Sequence, residues 1–450
     1  MIAPAMRMTS IAFPSREVAG LMERAFYSLV LVMASGPLDH LIIEKALSSG
    51  VRAAIWGGIY GGFLLITLRR PSLVGQSLRG AWPLLLLPAL AGVSVLWSWL
   101  PMQTVTGTLE TAAMVVFGGI VGNRVTERQL LGMVILALGA VATVNLWVVE
   151  TSPIGLDING DAIGIFSHKN ENGAMMTVLL TACLASLVWG GPRFGALLAS
   201  GLALLLLALS GSRTAWLAAL AGTAVVFLLL LRRLTTPAKL AVLLLGCGAG
   251  TVLVMVLMAT HADVVGSALA LLGKDSTLTG RTVLWDLARR YFAHAPYLGH
   301  GFNAFWTEDL TSSAAFVNRV MKEDLASFHN GYIEMAIELG IVGAVLQVVL
   351  MVWFVQPLHR LLRYGDAAAA AFAAALLVVV VVASSAEVTL FVRHGFHLFL
   401  WAALWSRASL LAEAATAPAP QLWADRRRFG PDLPVQPAEE GLPSAWTHNL

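Results

Sequence analysis

Residues 194–231 read FGALLASGLALLLLALSGSRTAWLAALAGTAVVFLLLL, and Arg213 is their only charge. Two apolar runs, 194–210 and 213–231, stand almost back to back around a short polar turn, SGSR. A helix needs about 20 residues to cross a hydrocarbon core, within a range of roughly 17–25. In lipid every backbone N–H and C=O must be paired inside the segment, so runs of this kind are expected as membrane helices. The turn between them then lies at one face of the bilayer, with a guanidinium in it.

The pattern extends along the chain. Similar runs occur at 24–44, 51–68, 81–99, 104–122, 129–149, 172–189, 238–259, 331–355, 367–386 and 391–410, making twelve with the opening pair. Gly36, Pro37 and Asp39 interrupt the first, which a discontinuous helix facing protein or a wet cavity can tolerate. Of the 450 residues, 58% are hydrophobic and 12% charged, against about 25% charged in soluble domains. The expected fold is an all-α polytopic membrane protein of about 12 transmembrane helices. A formal charge of +3 gives no argument for nucleic acid, and no such partner is expected. Cys183 and Cys247 both sit inside apolar runs and read as small buried hydrophobes, with neither metal spacing nor a disulfide framework. The first 20 residues are mixed, contain Pro4 and Pro14, and lack a signal's compact apolar stretch and cleavage site, so the first span is expected to be an uncleaved anchor.

Lys and Arg in the short connections set orientation. With a cytoplasmic N-terminal segment (1–23), the inside loops carry Arg69, Arg70 and Arg79; Arg124 and Arg128; Arg193; Arg232, Arg233 and Lys239; Arg360 and Arg363. The short outside loops hold only Lys45, Arg52, Lys169, Arg213 and Arg393. A transmembrane domain is thus expected over 24–411, with one large periplasmic loop, 260–330, between spans nine and ten. The segment 412–450, rich in Pro, Ala and charge and without periodicity, reads as a disordered cytoplasmic tail. No sequence repeat stands out, which disfavours transporter folds built from repeats.

The long loop has its own pattern. Val283, Leu284, Leu287, Tyr291 and Phe292 recur at helical spacing, with Asp286, Arg289 and Arg290 largely elsewhere, so 281–293 is expected as an amphipathic helix. A turn, Pro296-Tyr297-Leu298-Gly299-His300-Gly301, follows. A more polar stretch, 314–327, leads to His329 at the mouth of the tenth span.

Four polar clusters fall on the same outer face: 167–172 (SHKNEN), 210–213 (SGSR), 279–281 (TGR) and 327–330 (SFHN), the last followed by Glu334 and Glu338. Arg213 sits so close to membrane depth that its charge needs a partner. It either snorkels to headgroups or presents its rigid fork to phosphate oxygens. Arg281 follows a glycine at an expected helix N-terminus, where the N–H groups and dipole favour an anion. With Lys169 on the same face, these cations suggest a site for a phosphate-bearing substrate. Helix capping alone would account for Asn170, Asn172 and Ser212. His329 is either a cap or the general base, with Glu334 or Glu338 to orient it; His168 is the rival base. His168, Lys169, Asn170, Ser212, Asn330 and Glu334 are expected around the substrate. His294 and His300 read as ordinary loop residues, His397 as a packed histidine, and Glu387 with Arg393 as a structural ion pair across the last outer turn. No metal-ligand spacing is visible: Asp157 and Asp161 are four apart, but Gly155, Asn159 and Gly160 make that stretch a turn, and metal-independent chemistry is expected.

In order, SHKNENG (167–173), SGSRTAW (210–216), GRTVLWDLARRYFAHAPYLGHGFNAF (280–305) and SFHNGYIEMAIELGIVG (327–343) resemble the O-antigen ligase and polymerase superfamily, which includes exopolysaccharide polymerases. The resemblance implies a type C-like glycosyltransferase fold in the bacterial inner membrane. It implies a donor glycan on undecaprenyl pyrophosphate, a glycan or lipid A-core acceptor, and inverting transfer without nucleotide sugar, metal or other cofactor. A chain-length regulator or a flippase would be its natural protein partner. By motif, Arg213 and Arg281 would grip the pyrophosphate and His329 would take the proton of the acceptor hydroxyl. The His-Lys-Asn order in 168–170 is closer to exopolysaccharide polymerases than to lipopolysaccharide ligases. A polymerase is therefore the first expectation and a ligase the second. A polar-lipid flippase or transporter is third, disfavoured because stretches such as 202–209 and 225–231 are almost wholly apolar.

Overall fold

The computed structural model describes residues 20–37, 49–233, 276–307 and 309–416. Within them the chain is helical, and the described residues contain no strand, only an isolated antiparallel bridge between Leu156 and Ala162. The helices are α1 Leu21–Ala34, α2 Ser49–Arg69, α3 Ser72–Ala81, α4 Leu86–Val93, α5 Pro101–Arg124, α6 Glu127–Thr151, α7 Lys169–Val188, α8 Arg193–Leu209, α9 Arg213–Arg233, α10 Ser276–His294, α11 Ser313–Met321, α12 Gly331–Trp353, α13 Val355–Tyr364, α14 Ala367–Ala383 and α15 Phe396–Thr416. Among the described residues, seven helices are long and apolar enough to cross a membrane, with α8 and α14 as shorter apolar helices. The chain is a polytopic membrane protein on this evidence. The expected ninth span (238–259), part of the first, the start of the expected loop 260–330 as far as residue 275, and most of the tail lie outside the described residues.

Three expected spans differ in their limits. The third crossing starts at Ser72 and runs to Leu96, not 81–99. Its first turns are amphipathic and bury Leu73, Ser77, Gly80 and Ala81, which hides them from a hydropathy window. Pro83 then gives a short 3-10 turn, Trp82–Leu85, before α4, because it lacks the N–H an α-helix needs. The last helix begins at Phe396 rather than 391, and 384–395 form an ordered non-helical loop. The tenth crossing is broken: Gly340 adopts φ 67° and ψ −167° inside α12.

The break has a specific filling. Residues 296–301 insert their backbone where the helix ladder fails. His300 N donates to Ile337 O (3.0 Å), Gly301 N to Glu338 O (2.9 Å), and Ile341 N to Pro296 O (2.8 Å). The orphaned groups of a broken helix are thereby satisfied. The fit requires bare backbone, since a Cβ on Gly340 would stand 2.2 Å from the Tyr297 carbonyl and one on Gly299 2.4 Å from that of Glu338. The same insert is held from the other side, with Trp97 Nε1 donating to Leu298 O (3.1 Å) and Trp99 N to His300 O (3.0 Å). His300, expected as an ordinary loop residue, is buried, bonded to Tyr291 O at 3.0 Å and packed 4.0 Å from the Trp99 ring.

Two apolar cores result. The main one runs through the bundle, where α5 packs directly on α15. Gly118 and Gly122, one turn apart, let the backbones touch: a Cβ at either would stand 2.2 Å or less from the Phe399 or Ala403 carbonyl, the small-residue packing that membrane helices favour. The second core joins Leu284, Leu287 and Ala288 of α10 to Phe305, Val317 and Phe328, with Ile337 of α12. That is the expected amphipathic helix, seated on the membrane domain with Arg289 and Arg290 exposed. It starts earlier than expected, so Arg281 lies in its second turn and not at its N-terminus. At the far end of the bundle, Arg124 pairs with Glu23 (2.8 Å) and Arg407 with Glu127 (2.7 Å), tying α1, α5, α6 and α15.

Candidate functional site

The site forms where α7, α9, α10 and α12 begin or end beside the 384–395 loop. Ser167 and the N-cap His168 open α7, the His168 Nδ1 accepting from Asn170 N at 3.2 Å. One turn on, Gly173 lets α9 come close: a Cβ there would stand 2.5 Å from Ala215 Cβ. That approach brings the SHKNENG and SGSRTAW segments together. Ser212 of the second donates to Asn170 Oδ1 of the first at 2.7 Å, and its Oγ also accepts from Ala215 N at 3.3 Å, capping α9. Gly211, at φ 59°, makes the turn tight. Arg213 is the first residue of α9 and its side chain is exposed.

Glu387 is the hub. Its Oε1 accepts from Asn170 Nδ2 (2.5 Å) and from Arg281 Nη2 (3.2 Å), while Oε2 faces His329 Nδ1 at 3.2 Å. The loop that carries it is tied to α12: Gly331 N donates to Ser384 O (2.8 Å) and Asn330 Nδ2 to Ser385 O (2.8 Å). Burial opposes the charge on Glu387, but the His329 hydrogen bond and the charges of His329 and Arg281 hold its carboxyl below the usual carboxylate range. An ionised carboxylate can only accept, so the proton between the two belongs to Nδ1 and the His329 lone pair belongs to Nε2.

His329 adopts φ 47°, a left-handed conformation that costs a non-glycine residue on the order of 1 kcal/mol. Its neighbours impose it. Phe328 N donates to Glu334 Oε2 (2.8 Å), Trp285 Nε1 to Phe328 O (3.0 Å), and the Asn330 side chain accepts from Tyr332 N and Ile333 N. These bonds, with those of Trp306 and Asn303, give Asn330, Glu334 and Glu338 partners within the chain. Asn330 caps α12. Glu334 spends its carboxylate on Phe328 N and on Trp306 Nε1 (2.8 Å), and Glu338 accepts from Asn303 N (2.9 Å). The carboxylate bonded to His329 is neither of these but Glu387, expected from the sequence as the ion-pair partner of Arg393. Arg393 instead binds Glu110, at 2.5 and 3.1 Å.

The other expected residues divide. Lys169 reaches Asp161 at 2.5 Å and Asp157 at 3.9 Å, so its charge is already matched, and the 157–161 stretch is the turn expected, with Asp157 Oδ1 accepting from Asn159 N and Asp161 N. His168 lies 5.8 Å from His329, ring to ring. Burial leads in pushing its pKa down, with His329, Lys169 and Arg281 adding to this and Glu387 opposing. Because its Nδ1 lone pair is taken by Asn170 N, the neutral ring carries its proton on Nε2 and has no lone pair to offer. Arg281 gives only Nη2 to Glu387; its Nε and Nη1 bond nothing among the described residues. A cavity of about 440 Å³ opens beside Glu387, lined by Asn170, Ser327, Arg52, Trp56, Arg393 and His394 among others. Among the described residues no group of three His, Cys, Asp or Glu side chains could hold a metal ion.

Comparison with known proteins follows the same residues. The family model described as O-antigen ligase matches residues 196–348, a stretch containing Arg213, Arg281 and His329. The chain is 28% identical over 287 residues to the exopolysaccharide production protein ExoQ of Rhizobium meliloti (strain 1021), covering 60% of this chain and 64% of that protein. The match thus spans just under two thirds of that relative. A chain from the solved structure titled "Structural coordination of polymerization and crosslinking by a peptidoglycan synthase complex" superposes with a TM-score of 0.45 at 15% identity, over 75% of this chain and 98% of that one. The family match and the ExoQ identity support the superfamily that the motifs resemble.

Proposed function

We propose that this member of the O-antigen ligase and polymerase group is an inverting glycosyltransferase of type C-like architecture, working at the periplasmic face of the inner membrane. It moves a glycan from undecaprenyl pyrophosphate onto a sugar hydroxyl, as an O-antigen or exopolysaccharide polymerase. One observation carries the reading: His329 Nδ1 lies on Glu387 Oε2 at 3.2 Å while Arg281 holds the other oxygen at 3.2 Å. A basic nitrogen and a phosphate-seeking fork are thereby fixed on one carboxylate.

In the reaction, Nε2 of His329 takes the proton from the acceptor hydroxyl. The oxygen attacks the anomeric carbon from the face opposite the leaving group, so the configuration inverts. The bond to the pyrophosphate oxygen breaks, and that oxygen keeps the electron pair. Its negative charge grows as the bond breaks, and Arg213 with the free Nε and Nη1 of Arg281 stabilises it. The imidazolium formed on His329 is stabilised in turn by Glu387. Holding a lipid-linked donor and its acceptor at one membrane face supplies the orientation.

The similarity to ExoQ favours polymerisation; the family model, which is described as a ligase, favours transfer to lipid A-core as a second reading. Purified protein given lipid-linked oligosaccharide separates them. A ladder on the lipid carrier indicates a polymerase, and a single glycan on lipid A-core a ligase. His329→Ala and Arg213→Ala should each abolish both products while the protein still folds and inserts. Near-wild-type turnover in either variant removes that residue from the mechanism.

A further inference from the structure

At the opposite end of the bundle from His329 lies a second polar cavity, of about 600 Å³, with no part in the transfer chemistry. The span that starts at Gly331 runs to Tyr364, and Trp353, Gln356 and Arg360 on its far part line this cavity. α12 is broken at Gly340 and ends at Trp353, but α15 is continuous from Phe396, at the end of the 384–395 loop. Ser409 and Glu413, which also line the cavity, lie roughly 20–26 Å along it at about 1.5 Å per residue. The cavity therefore sits toward the other membrane–water interface, most of the way across a hydrocarbon core of about 30 Å.

Its walls combine two chemistries. Three indoles form an aromatic ledge: Trp82 meets Trp353 edge-on at 5.5 Å between ring centroids, and Trp353 meets Trp405 at 6.4 Å. Trp82 is 49% exposed, as an interfacial tryptophan would be. Above the ledge are Arg79 and Arg360. Arg79 Nε donates weakly to its own helix at Gly75 O (3.3 Å), and Arg360 Nη1 touches Ser409 Oγ at 3.4 Å. Neither has a carboxylate partner among the described residues, although the two arginines share this wall with one acid, Glu413. Among the described residues of this wall, two guanidinium groups against one carboxylate leave a net positive charge beside an apolar, aromatic surface.

We propose that this cavity binds the phosphodiester headgroup of an anionic phospholipid, with Arg79 and Arg360 on the phosphate and the tryptophans against the glycerol and upper acyl chains. Guanidinium forks suit phosphate oxygens, and Glu413 sets the affinity by opposing the charge.

The full chain in detergent would be titrated with phosphatidylglycerol, phosphatidylcholine or inorganic phosphate and read by native mass spectrometry. Phosphatidylglycerol should be retained in preference to phosphatidylcholine. Arg79→Gln with Arg360→Gln should weaken it about thirtyfold, or about fivefold per arginine. Glu413→Gln should strengthen it by a similar single-charge factor, which keeps the proposal testable if the double variant fails to fold. Equal retention of the two lipids, unchanged binding in a folded double variant, or no gain in Glu413→Gln would overturn the proposal. Displacement of the lipid by equimolar inorganic phosphate would assign the site to free phosphate and overturn the lipid headgroup.

Discussion

Glu387→Gln tests the site most directly, because it keeps the shape and removes the charge. Glu387 accepts from three residues of three different elements, Asn170, Arg281 and His329. Opposite charges about 4 Å apart at an effective dielectric of about 20 attract by about 4 kcal/mol, and a hydrogen bond to a charged group contributes roughly 1.5–3 kcal/mol. In the proposed reaction the imidazolium forms only as the acceptor proton is taken, so this attraction would act on the transition state. The carboxamide also offers an N–H to Nδ1, which favours the tautomer with the proton on Nε2 and removes the base's lone pair. If about 3 kcal/mol is lost, turnover falls about 150-fold. The assay is steady-state transfer from purified lipid-linked oligosaccharide, with donor concentration varied. The expected result is a fall in kcat with donor KM moving less than about threefold, since the glutamine oxygen can still accept from Arg281 Nη2. A variant that folds and keeps kcat within about threefold of wild type would refute Glu387 as the residue that positions His329.

Three further outcomes are expected. Because the Glu387 carboxyl is held below its usual value, its contribution to stability is complete above the unfolded carboxyl pKa of about 4.3 and is lost as pH falls through the lower folded value; the acid limb of a melting-temperature profile should be shallower in Glu387→Gln than in wild type. Gly340→Ala meets the Tyr297 carbonyl at 2.2 Å and would hold alanine in a backbone region essentially restricted to glycine (φ 67°, ψ −167°), at a cost of about 1–3 kcal/mol, so it should lower the melting temperature and cut transfer together, and an unaltered melt would show that the break relaxes freely. Trp306→Phe removes a bond to the buried Glu334 carboxylate at a cost of about 1–3 kcal/mol; thermal unfolding should show the loss, and His329-dependent turnover should fall with it because Glu334 also holds Phe328 N.

How far the sequence could be read depended on the kind of signal. The apolar runs announced helices, and the spacing of Leu284, Leu287, Tyr291 and Phe292 announced the seat of α10, although Val283, read on the same face, is exposed. Gly173 and Ser212 sat inside motifs whose convergence topology alone made plausible. Glu387 was visible only as one acid in a short outer connection. Spans drawn at the limits of hydropathy left about four residues there, whereas 384–395 form an ordered loop long enough to turn that carboxylate toward α7 and α10. The break at Gly340 was illegible for a different reason. A glycine in an apolar run is ordinary in membrane helices, and what identifies this one is the distant PYLGHG segment lying across it. Arg281 was misplaced by starting the helix at its apolar periodicity; the helix begins at Ser276, so the anion-binding argument from a helix terminus does not hold there, while the one from the guanidinium does.

The backbone splice at 296–301 has a mechanical consequence. By composition it is the stretch where an engineer would place an epitope tag or a protease site. Yet it is the rivet joining α10, which bears Arg281, to α12, whose cap follows His329. Arg281 and His329, the phosphate grip and base of the proposed reaction, thus ride on one welded frame. Their carboxylate, Glu387, belongs to the separate 384–395 loop, and its Asn170 partner to α7. In the proposed reaction the reacting centre would lie along the seam between the frame and these parts, so a substrate that wedges it apart would lose the base's alignment, and one that lets it shut would restore it.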